Sequence, residues 1–223
     1  TLFRSFHMAV SGRPGPVVLA LPEDMQLERA EAEDGERYQE IQANPGAGDL
    51  ETMRAMVAGA ERPLLLIGGS GWTEQACGDI QSFAEAFGLP VAVSFRRQDL
   101  FDNAHPNYIG VAGVGISPAL KELIAETDLI LCVGPQLGEI VTQGYTMFDF
   151  PRPRQKLVHV SAGVGELGKV YQPALAINSG MPQFAAAAAR LAPVDGAVWA
   201  DFVKRGRAAH EAFSAPVPAS AGA

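Results

Sequence analysis

The sequence predicts an α/β fold, a doubly wound parallel sheet covered by helices on both faces. Three observations predict it. Short runs that are apolar throughout, such as Leu64-Leu65-Leu66-Ile67 and Leu129-Ile130-Leu131-Cys132-Val133, recur along the chain, and a strand without a polar face must be buried on both sides. Between successive runs lie segments with apolar residues at helical spacing, the crossover that parallel strands need. Glycine follows several of the runs, as it does where strand ends turn towards a ligand crevice.

The elements follow in order. Residues 3–10 read as the last turns of a helix ending near Gly12, Arg13-Pro14-Gly15-Pro16 as a turn, and residues 17–21 as a short strand closed by Pro22. One helix and one strand cannot form a core, so residues 1–24 are expected to be the C-terminal end of a preceding domain and the chain to be cut from something longer. Residues 22–40 hold eight acidic residues against Arg29 and Arg37. With no apolar stripe at helical spacing, residues 25–48 read as a solvated acidic linker.

The central domain is expected over 49–192. Asp49 offers an N-cap to a helix carrying Leu50, Met53, Val57 and Ala60, and the strand after Pro63 follows. Thr73 caps a helix with Ala76, Ile80, Phe83, Ala84 and Phe87 on one face, Gly88 stops it, and residues 90–94 form the next strand. Ser117-Pro118 supplies an N-cap and first-turn proline to a helix bearing Leu120, Leu123 and Ile124, before the strand at 129–134. Residues 156–161 and 174–178 are further strands, and 182–191 a further helix. Over 193–223, Trp199, Phe202, Val203 and Phe213 suggest one more helix, and Pro216 and Pro218 among small residues a closing linker.

Composition excludes several classes of function. The 223 residues carry a formal net charge of −8, whereas binding to a phosphate backbone requires clustered Lys and Arg, so no nucleic acid is expected as a partner. No apolar run approaches the ~20 residues that span a bilayer and the N-terminus lacks a signal-peptide pattern, so no membrane association and a cytoplasmic location are expected. Two cysteines, Cys77 and Cys132, provide neither a disulfide framework nor a four-thiolate zinc site. His7, His105, His159 and His210 show no metal-ligand spacing, and Ser70 and Ser94 have no evident histidine and carboxylate partners. No catalytic residue and no metal site are therefore assigned.

In open parallel sheets ligands bind beyond the carboxyl ends of the strands. Gly68-Gly69-Ser70-Gly71 precedes a helix N-terminus, where free N–H groups favour an anion, although Glu74 occupies the third glycine position of a dinucleotide fingerprint. It is either a nucleotide loop or a tight turn. Arg96-Arg97 stands where an NAD site would place a carboxylate, suiting a phosphate, an inter-domain carboxylate, or simple pairing with Asp99 and Asp102. Gly113 and Gly115, within a glycine-marked loop at 110–115, and Gly134, at the end of the strand after Leu129, complete the possible nucleotide-binding set: Gly68, Gly69, Ser70, Gly71, Arg96, Gly113, Gly115 and Gly134.

The run Ser11-Gly12-Arg13-Pro14-Gly15-Pro16-Val17-Val18-Leu19-Ala20-Leu21-Pro22-Glu23-Asp24 resembles the end of the pyrimidine-binding domain of thiamine diphosphate-dependent enzymes of the acetolactate synthase and benzoylformate decarboxylase type. The acidic linker, Arg62-Pro63-Leu64-Leu65-Leu66-Ile67-Gly68-Gly69, and Glu166-Leu167-Gly168-Lys169 extend the resemblance over residues 3–192. It implies that the body is the central domain, similar in fold to a flavin- and nicotinamide-binding domain. It also implies an oligomeric decarboxylase or carboligase of 2-oxo acids, with the pyrimidine and diphosphate domains of the same chain as partners.

In such enzymes thiamine diphosphate and Mg²⁺ are held by those two other domains. Gly48-Asp49-Leu50 is a helix start rather than the family's diphosphate motif, so neither cofactor is expected on this segment. Flavin-binding members use loops that match residues 68–71, 94–97, 113–115, 134–137 and 161. Here Gly134-Pro135-Gln136 replaces Gly-x-Arg and Ser161-Ala162 replaces Asp-Pro, so FAD is not expected. The leading reading is thus a structural central domain. The alternatives are a free-standing NADP-binding oxidoreductase domain, carried by Gly69-Ser70-Gly71 and Arg96-Arg97, and a module used for assembly alone.

Overall fold

A computed structural model describes residues 2–216. Six parallel strands form one sheet: β1 (Pro63–Ile67), β2 (Val91–Ser94), β3 (Tyr108–Ala112), β4 (Leu129–Val133), β5 (Lys156–Ser161) and β6 (Leu175–Asn178). Their order across the sheet is β3-β2-β1-β4-β5-β6. The chain winds outwards from β1 to β3, returns to β4 beside β1, and winds outwards again, so the strand order reverses between β1 and β4. β1 and β4 pair in continuous register from Pro63↔Leu129 to Ile67↔Val133. Asp128 secures the start of that pair, its carboxylate accepting from the backbone N–H groups of Glu61 (2.7 Å) and Arg62 (2.8 Å).

Alternation along the strands divides the core into two layers. On one face Leu65, Ile67, Val91, Val93, Leu131 and Val133 pack with α3 (Ala47–Ala58), α4 (Glu74–Phe87) and α6 (Met181–Ala188), through side chains that include Met53, Phe83, Phe87 and Phe184. On the other, Leu64, Leu66, Ile130, Cys132 and Leu157 pack with Leu120 and Ile124 of α5 (Pro118–Glu126), and with Phe148 and Tyr171 of the β4–β5 and β5–β6 connections. The start and stop signals act as expected. Thr73 accepts from Ala76 N–H, Ser117 accepts from Leu120 N–H (both 3.1 Å), and Gly88 ends α4 at φ 61°.

Helix α7 (Ala200–Ser214) lies against β3, the edge strand. Trp199, at its N-cap, and Phe202 are buried in the first layer, while Gly206 meets Ile109 of the second. Arg207 donates to the carbonyls of Asn103 (2.8 Å) and His105 (3.0 Å) ahead of β3, and Arg205 forms a two-pronged ion pair with Glu126 at the end of α5.

Four elements differ from the expectations. Residues 17–21 form no strand, and Val18 is 92% exposed, because an isolated strand has no neighbour to take its backbone hydrogen bonds. The third helix begins at Ala47 on a Gly46 N-cap, and Asp49 falls in its first turn instead of capping it. A short helix, α2 (Glu23–Leu27), interrupts the start of the acidic stretch. Residues 110–112, expected in a glycine loop, belong to β3. Its glycine hides the strand from an apolar-run reading yet has a packing role, since a Cβ on Gly110 would sit 3.3 Å from the Leu120 side chain and 3.5 Å from His210 Nδ1. The first helix, α1 (Leu2–Val10), ends just before Gly12 as expected. The expected linker proline Pro218 lies outside the described residues.

Candidate functional site

The reversal between β1 and β4 opens a crevice of about 550 Å³ beyond their carboxyl ends. Gly69, Ser70, Gly134 and Pro135 form its floor, Ser94, Phe95 and Arg97 one wall, Gln136 with Gly138 to Val141 the other, and Ser161, Ala162, Met181 and Arg13 complete the rim. Phe95, Pro135, Ile140 and Met181 make much of this surface apolar.

The glycines of the floor serve the backbone first. A Cβ on Gly69 would lie 2.1 Å from the Gly134 carbonyl oxygen, and one on Gly134 would lie 2.3 Å from that of Gly68. Both have positive φ, 72° and 92°. A Cβ on Gly68 would collide with Ser94 Oγ at 2.0 Å. The two strand-end loops thus interlock, and the Trp72 indole N–H ties the first of them down by donating to the Gly68 carbonyl (2.7 Å). A tight crossing at the strand-order reversal accounts for these glycines, as the turn reading allowed.

Of the expected binding residues, Gly69, Ser70 and Gly134 line the crevice, with Gly68 packed behind them. Gly71 has φ 82° and open space around it. Arg96 is exposed at φ 62°, its guanidinium 5.1 Å over the Phe95 ring. Arg97 supplies the crevice cation instead, held by Asp99 in two bonds of 3.0 Å; the Arg97 hydrogen bond in turn keeps the Asp99 carboxyl below its ordinary pKa. Gly113 and Gly115 lie outside this crevice. A Cβ on Gly113 would press on Phe95, and its carbonyl accepts from Gln143 (2.7 Å), while Gly115 borders a separate small cavity beneath α7.

The sequence reading missed Arg13, Ile140 and Met181. Arg13 reaches the crevice from the N-terminal turn, a contact across 153 positions to Glu166 (3.4 Å) that no local pattern signals. Met181 sits in the first turn of α6, where it reads only as an apolar helix residue.

Chemically the crevice offers few reactive groups. Its hydroxyls are Ser70, Ser94 and Ser161, and Ser161 Oγ is folded onto the backbone of Gly163 (3.2 Å). No cluster of three or more His, Cys, Asp or Glu side chains suited to a metal ion occurs among the described residues. Cys132 is fully buried, and desolvation pushes its thiol well up from the ordinary value. His159, also buried, has its pKa lowered by desolvation, with its Nε2–H donating to the Pro135 carbonyl (3.2 Å).

That histidine carries a testable pH dependence. Because its folded pKa lies below the unfolded one, the unfolded chain binds the proton more tightly as pH drops below about 6.5. Stability is expected to be flat above that value and to fall below it, and His159→Gln should flatten part of the acid limb in urea melts at stepped pH. An unchanged limb would remove His159 as the cause and leave His210, lowered by burial and by Arg207.

Comparison with known proteins assigns the chain to a family. Residues 50–188 match the family described as thiamine pyrophosphate enzyme, central domain, and the chain belongs to it. The acetolactate synthase large subunit of Corynebacterium glutamicum is 28% identical over 178 residues, 77% of this chain and 28% of that protein. The isozyme 2 large subunit of Escherichia coli is 28% identical over 174 residues, 78% of this chain and 31% of that protein. The chain therefore spans about three tenths of the length of these relatives. Among solved structures, a thiamin diphosphate-dependent enzyme from Mycobacterium smegmatis superposes with a TM-score of 0.69 at 20% identity, covering 87% of this chain and 37% of its own. Benzoylformate decarboxylase from Polynucleobacter necessarius gives 0.67 at 23%, covering 87% and 36%. These two show the shared fold. No helix among the described residues is long and apolar enough to cross a membrane.

Proposed function

We propose that the chain acts as the structural central domain of a thiamine diphosphate-dependent decarboxylase or carboligase of 2-oxo acids, of the acetolactate synthase kind, and supplies no catalytic group itself. The family match carries this reading. The residues present do not fit thiamine diphosphate or its Mg²⁺: the described residues bring together no metal-binding acids, and the sequence contains no Gly-Asp-Gly. Those cofactors would be held by the pyrimidine and diphosphate domains of the same chain, in a cytoplasmic oligomer.

The crevice supports a scaffolding role over a nucleotide-binding one. Arg96 lies over Phe95 outside the crevice lining and Arg97 is engaged by Asp99, which weighs against the dehydrogenase alternative, whose 2′-phosphate would need one of them inside the crevice. Gln136 and Ser161, both on the crevice, take the positions where the family resemblance implies charged partners in flavin-binding members. Each charge-assisted hydrogen bond contributes about 1.5–3 kcal/mol, so two missing ones lower affinity by roughly two to four powers of ten.

The test is expression of the protein in its complete reading frame. We expect CO₂ release from a 2-oxo acid such as pyruvate that depends on thiamine diphosphate and Mg²⁺, none from the 223-residue chain alone, and no 450 nm absorbance surviving desalting. Cofactor-independent turnover by the 223 residues, or a stoichiometric flavin band, would overturn the proposal.

A further inference from the structure

The end of the sheet opposite the crevice carries a hollow of its own. It lies where the chain enters β5 and β6, has a volume of about 310 Å³, and is lined by residues 152–157 and 172–174. Arg152, Arg154 and Lys156 all border it, and all three are exposed while Gln155 between them is buried.

Two features distinguish this hollow from an ordinary basic surface. Its charge is uncompensated: no Asp or Glu lines it, none occurs in the sequence between Asp149 and Glu166, and none of the three cations joins an ion pair among the described residues. On a chain of net charge −8, three like charges share one concave space, and their repulsion is relieved by an anion. The cations are also oriented by neutral groups. Arg152 Nε donates to the Gln172 carboxamide oxygen (2.7 Å), and the Gln172 backbone N–H donates to the Pro151 carbonyl (2.8 Å). Arg154 Nη2 donates to the Ala125 carbonyl and, at 3.5 Å, to that of Thr127, at the end of α5 where helix carbonyls lack partners. These bonds fix both guanidinium groups without neutralising them. They leave the Nη groups of Arg152 and the ammonium of Lys156 without a partner among the described residues, and a fork held in this way suits the oxygens of a phosphate or carboxylate.

We propose that this hollow binds a small oxoanion carrying two or more charges, phosphate or a short di- or tricarboxylate. The Arg152 Nη groups donate to its oxygens, Lys156 balances a second charge, and Arg154 adds its own from the helix end. A water occupies about 30 Å³ of liquid, so the space holds the equivalent of about ten waters, enough for either kind of anion. The hollow lies at the amino ends of the strands, away from the crevice, and the inference stands or falls separately from the thiamine-enzyme reading.

The probe is protein-observed NMR of the 223-residue chain, titrated at pH 7.5 and constant ionic strength with sodium phosphate, sodium citrate and, as references, sodium acetate and sodium chloride. We expect saturable shifts at the Arg152, Arg154, Lys156 and Gln172 amides with phosphate or citrate and not with chloride. Saturation by phosphate alone assigns a phosphate site, by citrate alone a polycarboxylate site, and by both a general site for polyvalent oxoanions. Arg152→Gln and Lys156→Gln, both at exposed positions, should each weaken binding about fivefold, and the double variant about twenty-five-fold. Lys204→Gln, which removes the same charge from α7 outside the hollow, should leave it unchanged. Shifts that chloride reproduces, meaning an adventitious ion only, acetate binding as tight as that of the polyvalent anions, saturation by neither phosphate nor citrate, or an affinity that survives the double variant within about twofold, would overturn the assignment.

Discussion

Gly134→Ala is expected to destabilise the fold by about 3 kcal/mol or more. The residue sits at φ 92°, a left-handed conformation in which a Cβ costs roughly 1–2 kcal/mol on its own. The new methyl would also stand 2.3 Å from the Gly68 carbonyl oxygen and 2.9 Å from Met181 Sδ. The sulfur ends a flexible side chain and can move. The carbonyl belongs to the partner loop, whose N–H donates to Val133 and whose oxygen holds the Trp72 indole, so relief requires the two loops to part. Gly138→Ala is the control, because a Cβ there meets nothing within 4 Å. Urea unfolding of both variants checks this: a Gly134→Ala loss below 1 kcal/mol would show that the loops are not interlocked in solution.

A comparable loss is expected for Trp199→Ala, about 3–5 kcal/mol. The indole is 1% exposed, its N–H donates to the Gly88 carbonyl at 2.9 Å, and its ring packs beside Gly196. It therefore joins the start of α7 to the C-terminal end of α4. Trp199→Phe should recover most of the packing and lose only the bond to Gly88, about 1 kcal/mol. Hydrogen exchange localises the effect: the amides of α7 and β3 should lose protection in Trp199→Ala while those of β4 and β5 keep theirs. Uniform loss across the sheet would mean that α7 is not a separable layer but part of one cooperative core.

The sheet was largely legible because β1 and β4 are buried on both faces and wholly apolar, while β2 and β5 keep the pattern through Val91-Ala92-Val93 and Leu157-Val158 despite Ser94, His159 and Ser161. Thr73, Ser117 and Gly88 marked their helix ends through local chemistry alone. β3 was not legible. Gly110 breaks its apolar run where both Leu120 of α5 and His210 of α7, a hundred positions away, pack against it, and the second of these partners lies outside any window of neighbouring residues. The same distance hid Arg13 from the crevice. Arg96 and Arg97 were indistinguishable as a pair in sequence; φ 62° at Arg96 throws one guanidinium onto Phe95 and leaves the other facing inwards. The glycines at 68–71 left a ligand's approach and a tight turn equally open in sequence, and Gly69 and Gly134 serve a close approach between two segments of the chain.

The position of α7 bears on how the molecule avoids sticking to itself. β3 ends one side of the sheet, and an edge strand is a template for pairing with another chain unless something guards it. Tyr108 and Ile109 would give such a template an apolar, β-prone character. Any shorter version of the protein ended before Trp199 would lose that guard while retaining the six strands. It should form aggregates that seed from β3, and a lysine placed at Val111, which is partly exposed on that strand, should restore its solubility.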